Sequence, residues 1–106
     1  MSRTISPQEL KTRLSGGDVV IVDVRRDADY DADPHTIPGA VRGRPEEVAQ
    51  WSASLPSDKE IVVYCVRGGS VSNAVVDRLR ASHLNARFIE GGIEAWKNTG
   101  GFVTDK

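Results

Sequence analysis

Residues 61–70 read IVVYCVRGGS, and this stretch decides the fold. An apolar run ends at Cys65, the only cysteine of the chain, and a glycine-rich loop follows before a helical pattern begins. Continuous apolar runs of this kind are typical of parallel strands that are buried on both faces. The stretch therefore predicts a buried strand that carries a thiol to the start of a helix.

The rest of the chain alternates between predicted strands and predicted helices. A capping box at Ser6-Pro7-Gln8-Glu9 opens the first helix. The predicted elements are a helix from Ser6 to 16–17, a strand at 19–22, a turn at 37–41 leading into a short strand, a helix at 45–55, a strand at 60–64, a helix at 70–82, a strand at 86–89 and a helix after Gly92. This alternation predicts an α/β fold with a mostly parallel central sheet flanked by helices on both faces.

Length and composition favour a single domain spanning residues 1–106. The net charge of −1 gives no reason to expect nucleic acid or a membrane surface as a partner. The first residues lack the apolar core of a signal peptide, so we expect a cytoplasmic protein, monomeric by default. A single cysteine cannot form an intrachain disulfide, so a reaction cycle through Cys65 needs an outside molecule to complete it.

Cys65 is predicted to lie at the carboxyl end of its strand, where ligands bind in open α/β sheets. The backbone amides of residues 66–70, the positive end of the following helix and the Arg67 cation would each favour a thiolate. Gly68 and Gly69 permit backbone angles that larger residues resist. A lone cysteine after a buried strand is also compatible with a simple core residue, because free cysteines are often buried.

The chain resembles a single-domain rhodanese, the thiosulfate sulfurtransferase family, over nearly its whole length. The motifs that carry the resemblance are Val22-Asp23-Val24-Arg25, Ile37-Pro38-Gly39-Ala40, Val62-Val63-Tyr64-Cys65 with the loop after it, and Glu90-Gly91-Gly92 followed by Ala95-Trp96. Each motif is weak alone, and their order and spacing together are specific. The six residues from Cys65 to Ser70 occupy the positions of the family's active-site loop.

The resemblance implies a sulfurtransferase in which a Cys65 persulfide carries sulfur from a donor, thiosulfate or a persulfide, to a thiol or cyanide acceptor. A protein thiol is a further candidate acceptor. The implied catalytic residue is Cys65, and the implied substrate-binding residues are Val66, Arg67, Gly68, Gly69 and Ser70. No metal or cofactor is expected.

The loop departs from the family in where it places its charge. Many rhodaneses carry Arg, Lys or Thr at the last loop position, where this chain has Ser70, and the basic residue is instead Arg67. Residues 26–36 are expected to form a surface loop. Its four aspartates, Asp27, Asp29, Asp31 and Asp33, could line the entrance to the site. The missing charge at Ser70 argues against thiosulfate as the donor, and the acidic rim would disfavour anionic donors and favour a protein or neutral thiol partner.

Two other functions compete with sulfur transfer. The first is a relay or regulatory binding module that uses the rhodanese fold with little turnover. The second is a phosphatase or arsenate reductase, which would need an arginine where the chain has Val71. The valine and the short loop make this second alternative much the weaker.

Several residues near the motifs are expected to be structural. Asp23 and Arg25 are interpreted as a hydrogen-bonded ion pair behind the loop. His35 is expected to order its loop, and Trp51 and Trp96 to serve packing. His83 follows the predicted helix at 70–82, where a left-handed residue often ends a helix, so it is predicted to be the C-terminal cap residue.

Overall fold

The computed structural model describes residues 3–14 and 16–105. In chain order the elements are β1 (Thr4–Ile5), α1 (Pro7–Leu14), β2 (Val19–Asp23), α2 (Asp27–Ala32), β3 (His35–Thr36), β4 (Val41–Arg42), a 3-10 turn (Pro45–Glu47), α3 (Val48–Trp51), a second 3-10 turn (Ser52–Ser54), β5 (Glu60–Tyr64), α4 (Ser70–Ala81), β6 (Ala86–Ile89), α5 (Gly92–Asn98) and β7 (Thr104–Asp105). Within the described ranges, none of the helices is long and apolar enough to cross a bilayer.

The central sheet has five strands in the order β1-β6-β5-β2-β4. Each neighbouring pair in it is parallel, and β5, the cysteine-bearing strand, lies in the middle between β6 and β2. In β2 and β5 the register runs from Val19 opposite Glu60 to Asp23 opposite Tyr64. The carboxyl ends of these two strands therefore meet at the same edge of the sheet.

Two apolar cores cover the two faces of the sheet, and β5 contributes alternately to both. Ile61 and Val63 pack with the α3 and α4 side, while Val62 and Tyr64 pack with the α1 and α5 side. All five residues of β5 are buried. This double burial explains the unbroken apolar run in the sequence, and it confirms the predicted α/β architecture with helices on both faces.

The strongest patterns gave the most accurate elements. Strands β5 and β6 have the predicted bounds, and α4 ends one residue before the predicted Ser82. The Ser6 cap is also present, because Ser6 Oγ accepts a hydrogen bond from Glu9 N at 3.1 Å. The predicted helix at 45–55 is less regular, since two 3-10 turns flank a short α3.

The prediction of a surface loop at residues 26–36 was wrong. Helix α2 and the short strand β3 occupy most of this segment, and β3 pairs antiparallel with β7 in a separate two-stranded sheet. The helix is held by Tyr30, whose ring lies 5.4 Å from the Arg25 guanidinium and 4.4 Å from that of Arg42. Packing of a cation over an aromatic ring stabilises α2 despite its unfavourable composition.

His83 ends α4 as predicted. It is the one residue other than glycine with positive φ in the described part of the chain, at 65°. The amide of His83 donates to Arg80 O at 3.0 Å and that of Leu84 donates to Leu79 O at 3.1 Å. These two hydrogen bonds form a Schellman motif, in which glycine is the usual residue.

Substitution of His83 by glycine is expected to stabilise the protein. Glycine relieves the left-handed strain at a gain of about 0.5 to 1 kcal/mol, after allowance for its greater freedom in the unfolded chain. The matched control is Ser82→Gly, which lies next to it with a negative φ of −94° and is expected to destabilise. Thermal melts of both variants test the cap, and a lower melting temperature for His83→Gly would contradict it.

Candidate active site

The thiol of Cys65 lies at the carboxyl end of β5, directly after Tyr64. The residue is free and 7% exposed. It contributes to a pocket of about 340 Å³ whose other walls come from the loop after it, from the start of α4 and from the segment after β2. The pocket is lined by Arg26, Asp29, Cys65, Val66, Arg67, Gly69, Ser70 and Val71. The cysteine is thus a largely buried residue that still borders a cavity open to solvent.

Helix α5 holds the carbonyl groups of the loop. Ile93 N donates to Cys65 O at 3.0 Å, and Glu94 N donates to Val66 O at 3.1 Å. In a planar trans peptide the N–H of the next residue points opposite to the carbonyl. The N–H groups of Val66 and Arg67 therefore point away from α5.

Glycines make this contact between loop and helix possible. Gly92 has φ of 64°, and a Cβ at this position would lie 2.5 Å from both Cys65 O and Val66 O. Gly68 has φ of 73°, and its Cβ would lie 3.0 Å from Gly91 N and Ile89 O. The two positive angles and the close approach explain why side chains are absent at both positions.

The N–H groups after Cys65 have no partner among the residues that the structure describes. Those of Val66 to Gly69 donate no hydrogen bond to any residue in the ranges 3–14 and 16–105. Helix α4 begins at Ser70, its N-terminal cap residue is Gly69, and no side chain caps it. Free amides at a helix N-terminus carry partial positive charge, and they favour an anion. The loop thus places a set of unoccupied donors beside the cysteine.

Arg67 differs from the expectation that its cation serves the thiol. Its side chain is 81% exposed, and its Nε donates to Glu94 Oε2 at 3.0 Å. The guanidinium therefore shares its charge with a carboxylate on α5, although Arg67 lines the pocket. Its part in binding a substrate stays a prediction.

Arg26 is a pocket residue that the sequence analysis missed. It follows the buried Arg25 after β2 and lines the pocket over Cys65. Its guanidinium makes no hydrogen bond or ion pair with the described residues. The available sequence signal was its position soon after the predicted strand at 19–22, because the carboxyl ends of parallel strands share one edge, but the sequence did not show that this strand is the neighbour of β5.

Only part of the expected acidic rim carries free charge. Asp27 pairs with Arg42 and Arg44, and the hydrogen bond from Arg44 holds the pKa of Asp27 below its ordinary value. Asp33 accepts from Arg25 and, at 2.7 Å, from Lys97. Burial alone would raise the pKa of Asp33. The two cations and a hydrogen bond from the His35 backbone outweigh this effect, so the pKa lies below its ordinary value and the carboxylate stays ionised. Asp29 is the rim aspartate that lines the Cys65 pocket.

Asp23 and Arg25 form the buried ion pair that the sequence predicted, each 1% exposed. Arg25 Nη2 donates to Asp23 Oδ2 at 2.7 Å and to His35 O at 3.0 Å. The Tyr64 ring lies 5.7 Å from this guanidinium, and Tyr64 Oη accepts from Ile37 N at 3.3 Å. Burial and the Asp23 charge raise the pKa of Tyr64, so its phenol stays neutral. This network joins β2 to the segment at 33–37 behind the site.

The remaining structural interpretations also agree with the contacts. His35 donates its amide to Asp33 Oδ1 at 3.0 Å, which orders its segment. Trp96 is 1% exposed and donates Nε1–H to Phe102 O at 2.7 Å. Trp51 packs against the core beside α4 and donates to Arg44 O at 2.8 Å. Both tryptophans are packing residues outside the pocket over Cys65.

A family model described as a rhodanese-like domain matches residues 6–99. The chain belongs to the rhodanese-like domain family. Sulfur-transfer proteins are among its relatives, and the cysteine loop described above lies within the matched residues.

Two curated relatives differ in how much of their length corresponds to this domain. Over 97 residues this domain is 31% identical to "Thiosulfate sulfurtransferase GlpE" of Pseudomonas savastanoi. The matched region covers 92% of this chain and 89% of that protein. Over 98 residues it is 32% identical to "Probable adenylyltransferase/sulfurtransferase MoeZ" of Mycobacterium tuberculosis, covering 88% of this chain and 24% of that protein. The chain thus spans only about a quarter of the length of the latter relative.

A solved structure agrees with the fold over the whole domain. The rhodanese-like domain protein from Staphylococcus aureus superposes with a TM-score of 0.81 at 30% identity, covering 99% of each chain. The predicted family and fold are therefore confirmed.

Proposed function

We propose that this rhodanese-like domain is a sulfurtransferase that carries a sulfane sulfur on Cys65. One observation supports it above the others: the only thiol of the chain borders a pocket whose adjacent loop amides, at residues 66–69, have no partner in the described ranges. A purely structural cysteine has no need of such donors. A persulfide anion on Cys65 would accept hydrogen bonds from them.

The loading step forms one S–S bond and breaks another. The Cys65 thiolate attacks the outer sulfur of thiosulfate, and sulfite leaves with the electron pair of the broken S–S bond. A persulfide donor reacts in the same way and leaves as a thiolate. The outer sulfur on Cys65 then carries the negative charge, and the amides of the loop together with the start of α4 stabilise it.

The discharge step regenerates the thiolate. The acceptor, a thiolate or cyanide, attacks the outer sulfur and forms a new bond to it, the bond from Cys65 Sγ breaks, and its electron pair returns to Sγ. Sulfur moves without net oxidation or reduction, and no metal or cofactor is required. Low-molecular-weight thiols, cyanide and a protein thiol are the candidate acceptors.

Intact-mass measurement after incubation with thiosulfate and, separately, with an organic persulfide tests the proposal. We expect an adduct of one sulfur atom that a thiol removes, and we expect no adduct on Cys65→Ser. The variant is a clean control because Cys65 is the only cysteine. Failure of every donor to load the wild-type protein would refute sulfur transfer and favour a binding module of the same fold.

The two arginines at the pocket are expected to contribute differently to loading. Arg26→Ala should slow loading by the thiosulfate dianion several-fold, because this cation is unpaired among the described residues and lines the pocket. Arg67→Ala should change it less, because Arg67 already pairs with Glu94. Loading rates at low and high salt measure both effects, since screening reduces them. A larger effect of Arg67→Ala would contradict this ranking and restore the role predicted for Arg67.

A further inference from the structure

A second cavity, which we call the α4 groove, adjoins the Cys65 pocket. It encloses about 670 Å³, a size typical of sites for small organic ligands. The groove is lined by Arg26, Asp27, Pro45, Glu46, Val48, Ser70, Val71, Ala74, Val75 and Arg78. Arg26, Ser70 and Val71 line both cavities, so the groove is continuous with the space beside the thiol.

The floor of the α4 groove is apolar. Val71, Ala74 and Val75 come from one face of α4, and Val48 and Pro45 face them from the segment that begins at the first 3-10 turn. Val48 and Val75 belong to the apolar core beneath. This lining suits a hydrocarbon chain, and it does not suit a small inorganic anion such as thiosulfate.

The charges on the groove are not balanced. Its two carboxylates are paired, since Asp27 contacts Arg42 and Arg44, and Glu46 lies 3.4 Å from Arg44 Nε. Arg26 and Arg78 make no hydrogen bond or ion pair within the described part of the chain. Arg78 lies at the far end of the groove from Ser70, eight positions and about 12 Å along the helix. The groove therefore presents, at each end of an apolar floor, a cation that no described residue pairs.

We propose that the α4 groove binds the tail of the sulfur acceptor, and that this acceptor is an organic thiol with an apolar middle and a terminal carboxylate. The inference rests on the proposed sulfur transfer. The thiol lies at the Cys65 pocket, the chain lies on the apolar floor, and the carboxylate pairs with Arg78. Arg26, at the Cys65 end, faces the charge of the attacking thiolate, so Arg78 at the distant end is the cation that remains for the carboxylate.

In this arrangement Arg78 is a positioning residue. The acceptor thiolate attacks the outer sulfur of the Cys65 persulfide, a new S–S bond forms on the acceptor, and the electron pair of the old bond returns to Cys65 Sγ. The Arg78 pair orients the acceptor and takes no part in bond making. Its effect should therefore depend on the length and charge of the acceptor tail and vanish for a short thiol.

Discharge rates of the loaded protein with three thiols test this assignment. Mercaptooctanoate reaches from the pocket to Arg78 and bears the carboxylate, mercaptooctanol has the same chain without the charge, and mercaptopropionate is too short. We expect mercaptooctanoate to discharge the wild type about fivefold faster than mercaptooctanol, as a partly exposed ion pair allows. In Arg78→Ala the ratio should fall to about one, and Arg78→Lys should restore part of it.

Lys59→Ala is the matched control, because it removes one exposed positive charge just before β5, at the opposite edge of the sheet. It should leave the ratio unchanged, and Arg78→Ala should leave the rate with mercaptopropionate unchanged. The assignment is overturned if the ratio of the two rates is near one in the wild type, or if the fivefold ratio persists in Arg78→Ala. In either case sulfur transfer stands.

Binding of an unreactive thioether analogue separates this inference from the proposed function. The S-methyl thioether of mercaptooctanoate is titrated into the unloaded protein, and the amide resonances of Ala74 and Arg78 are followed by NMR. We expect both resonances to shift in the wild type, and we expect no shift at positions 74 and 78 of Arg78→Ala. If Cys65 takes no sulfur from any donor but these shifts occur, sulfur transfer fails and the groove remains a carboxylate-binding site. Absence of the shifts in the wild type refutes the proposal that the α4 groove binds the acceptor tail.

Discussion

Replacement of Gly92 by alanine is expected to destabilise the protein and to disable sulfur loading. The residue has φ of 64°, and its new Cβ would lie 2.5 Å from the backbone oxygens of both Cys65 and Val66. Neither oxygen belongs to a flexible side chain, so the loop and α5 must separate. The hydrogen bonds from Ile93 N and Glu94 N to these oxygens would then weaken. We expect a loss of about 3 kcal/mol or more, since left-handed strain and steric overlap add.

Two other glycines separate these contributions. Gly17→Ala has the same strain at φ of 72° with no atom within 4 Å, whereas Gly16→Ala has ordinary contacts and no positive φ. Urea unfolding should rank Gly92→Ala well below Gly17→Ala, and Gly17→Ala below Gly16→Ala. If Gly92→Ala is no less stable than Gly17→Ala, the close approach of α5 to the loop does not constrain the site. Loading of Gly92→Ala below its unfolding transition gives the functional readout.

The sequence predicted the elements whose local pattern and tertiary setting agree. Strand β5 is an unbroken apolar run because both of its faces are covered, and α4 repeats Val71, Val75 and Leu79 on its inner face. The two-residue strands β1, β3 and β7 carry no such pattern. Their pairing depends on distant partners, as in Thr4 opposite Phe88. Helix α2 was missed because short helices are marginal alone, and its stability comes from contacts of Tyr30 with two arginines.

In the candidate site, too, the residues that are contiguous in sequence were predicted and those brought together by the fold were not. Cys65 and its loop are contiguous in the chain, so their chemistry and family resemblance were visible before the structure. Arg26 and the α4 groove come from separate segments that only the sheet order brings together. The side chain of Arg67 could not be placed, because its partner Glu94 is distant in sequence. The sequence placed Gly92 just before the last helix, whereas it is the first residue of α5 and its closest contacts are the carbonyls of the cysteine loop.

Replacement of Arg25 by alanine is expected to destabilise the protein strongly, by about 3–5 kcal/mol, because it leaves the Asp23 carboxylate buried without its partner. Both side chains are 1% exposed. The substitution also removes the hydrogen bond to His35 O, the ion pair with Asp33 and the stacking on Tyr30. A loss of this size is a large part of the stability of a small domain.

Conservative variants distinguish charge from geometry at this position. Arg25→Lys keeps the cation but cannot reproduce the contacts of Nε and Nη2 with both Asp23 oxygens, so it should fall between the wild type and Arg25→Ala. Arg67→Ala removes an exposed, paired arginine and should change stability by less than about 1 kcal/mol. Urea unfolding measures all three. Equal, small losses for Arg25→Ala and Arg67→Ala would mean that the buried pair does not hold α2 and His35 in place behind the cysteine loop.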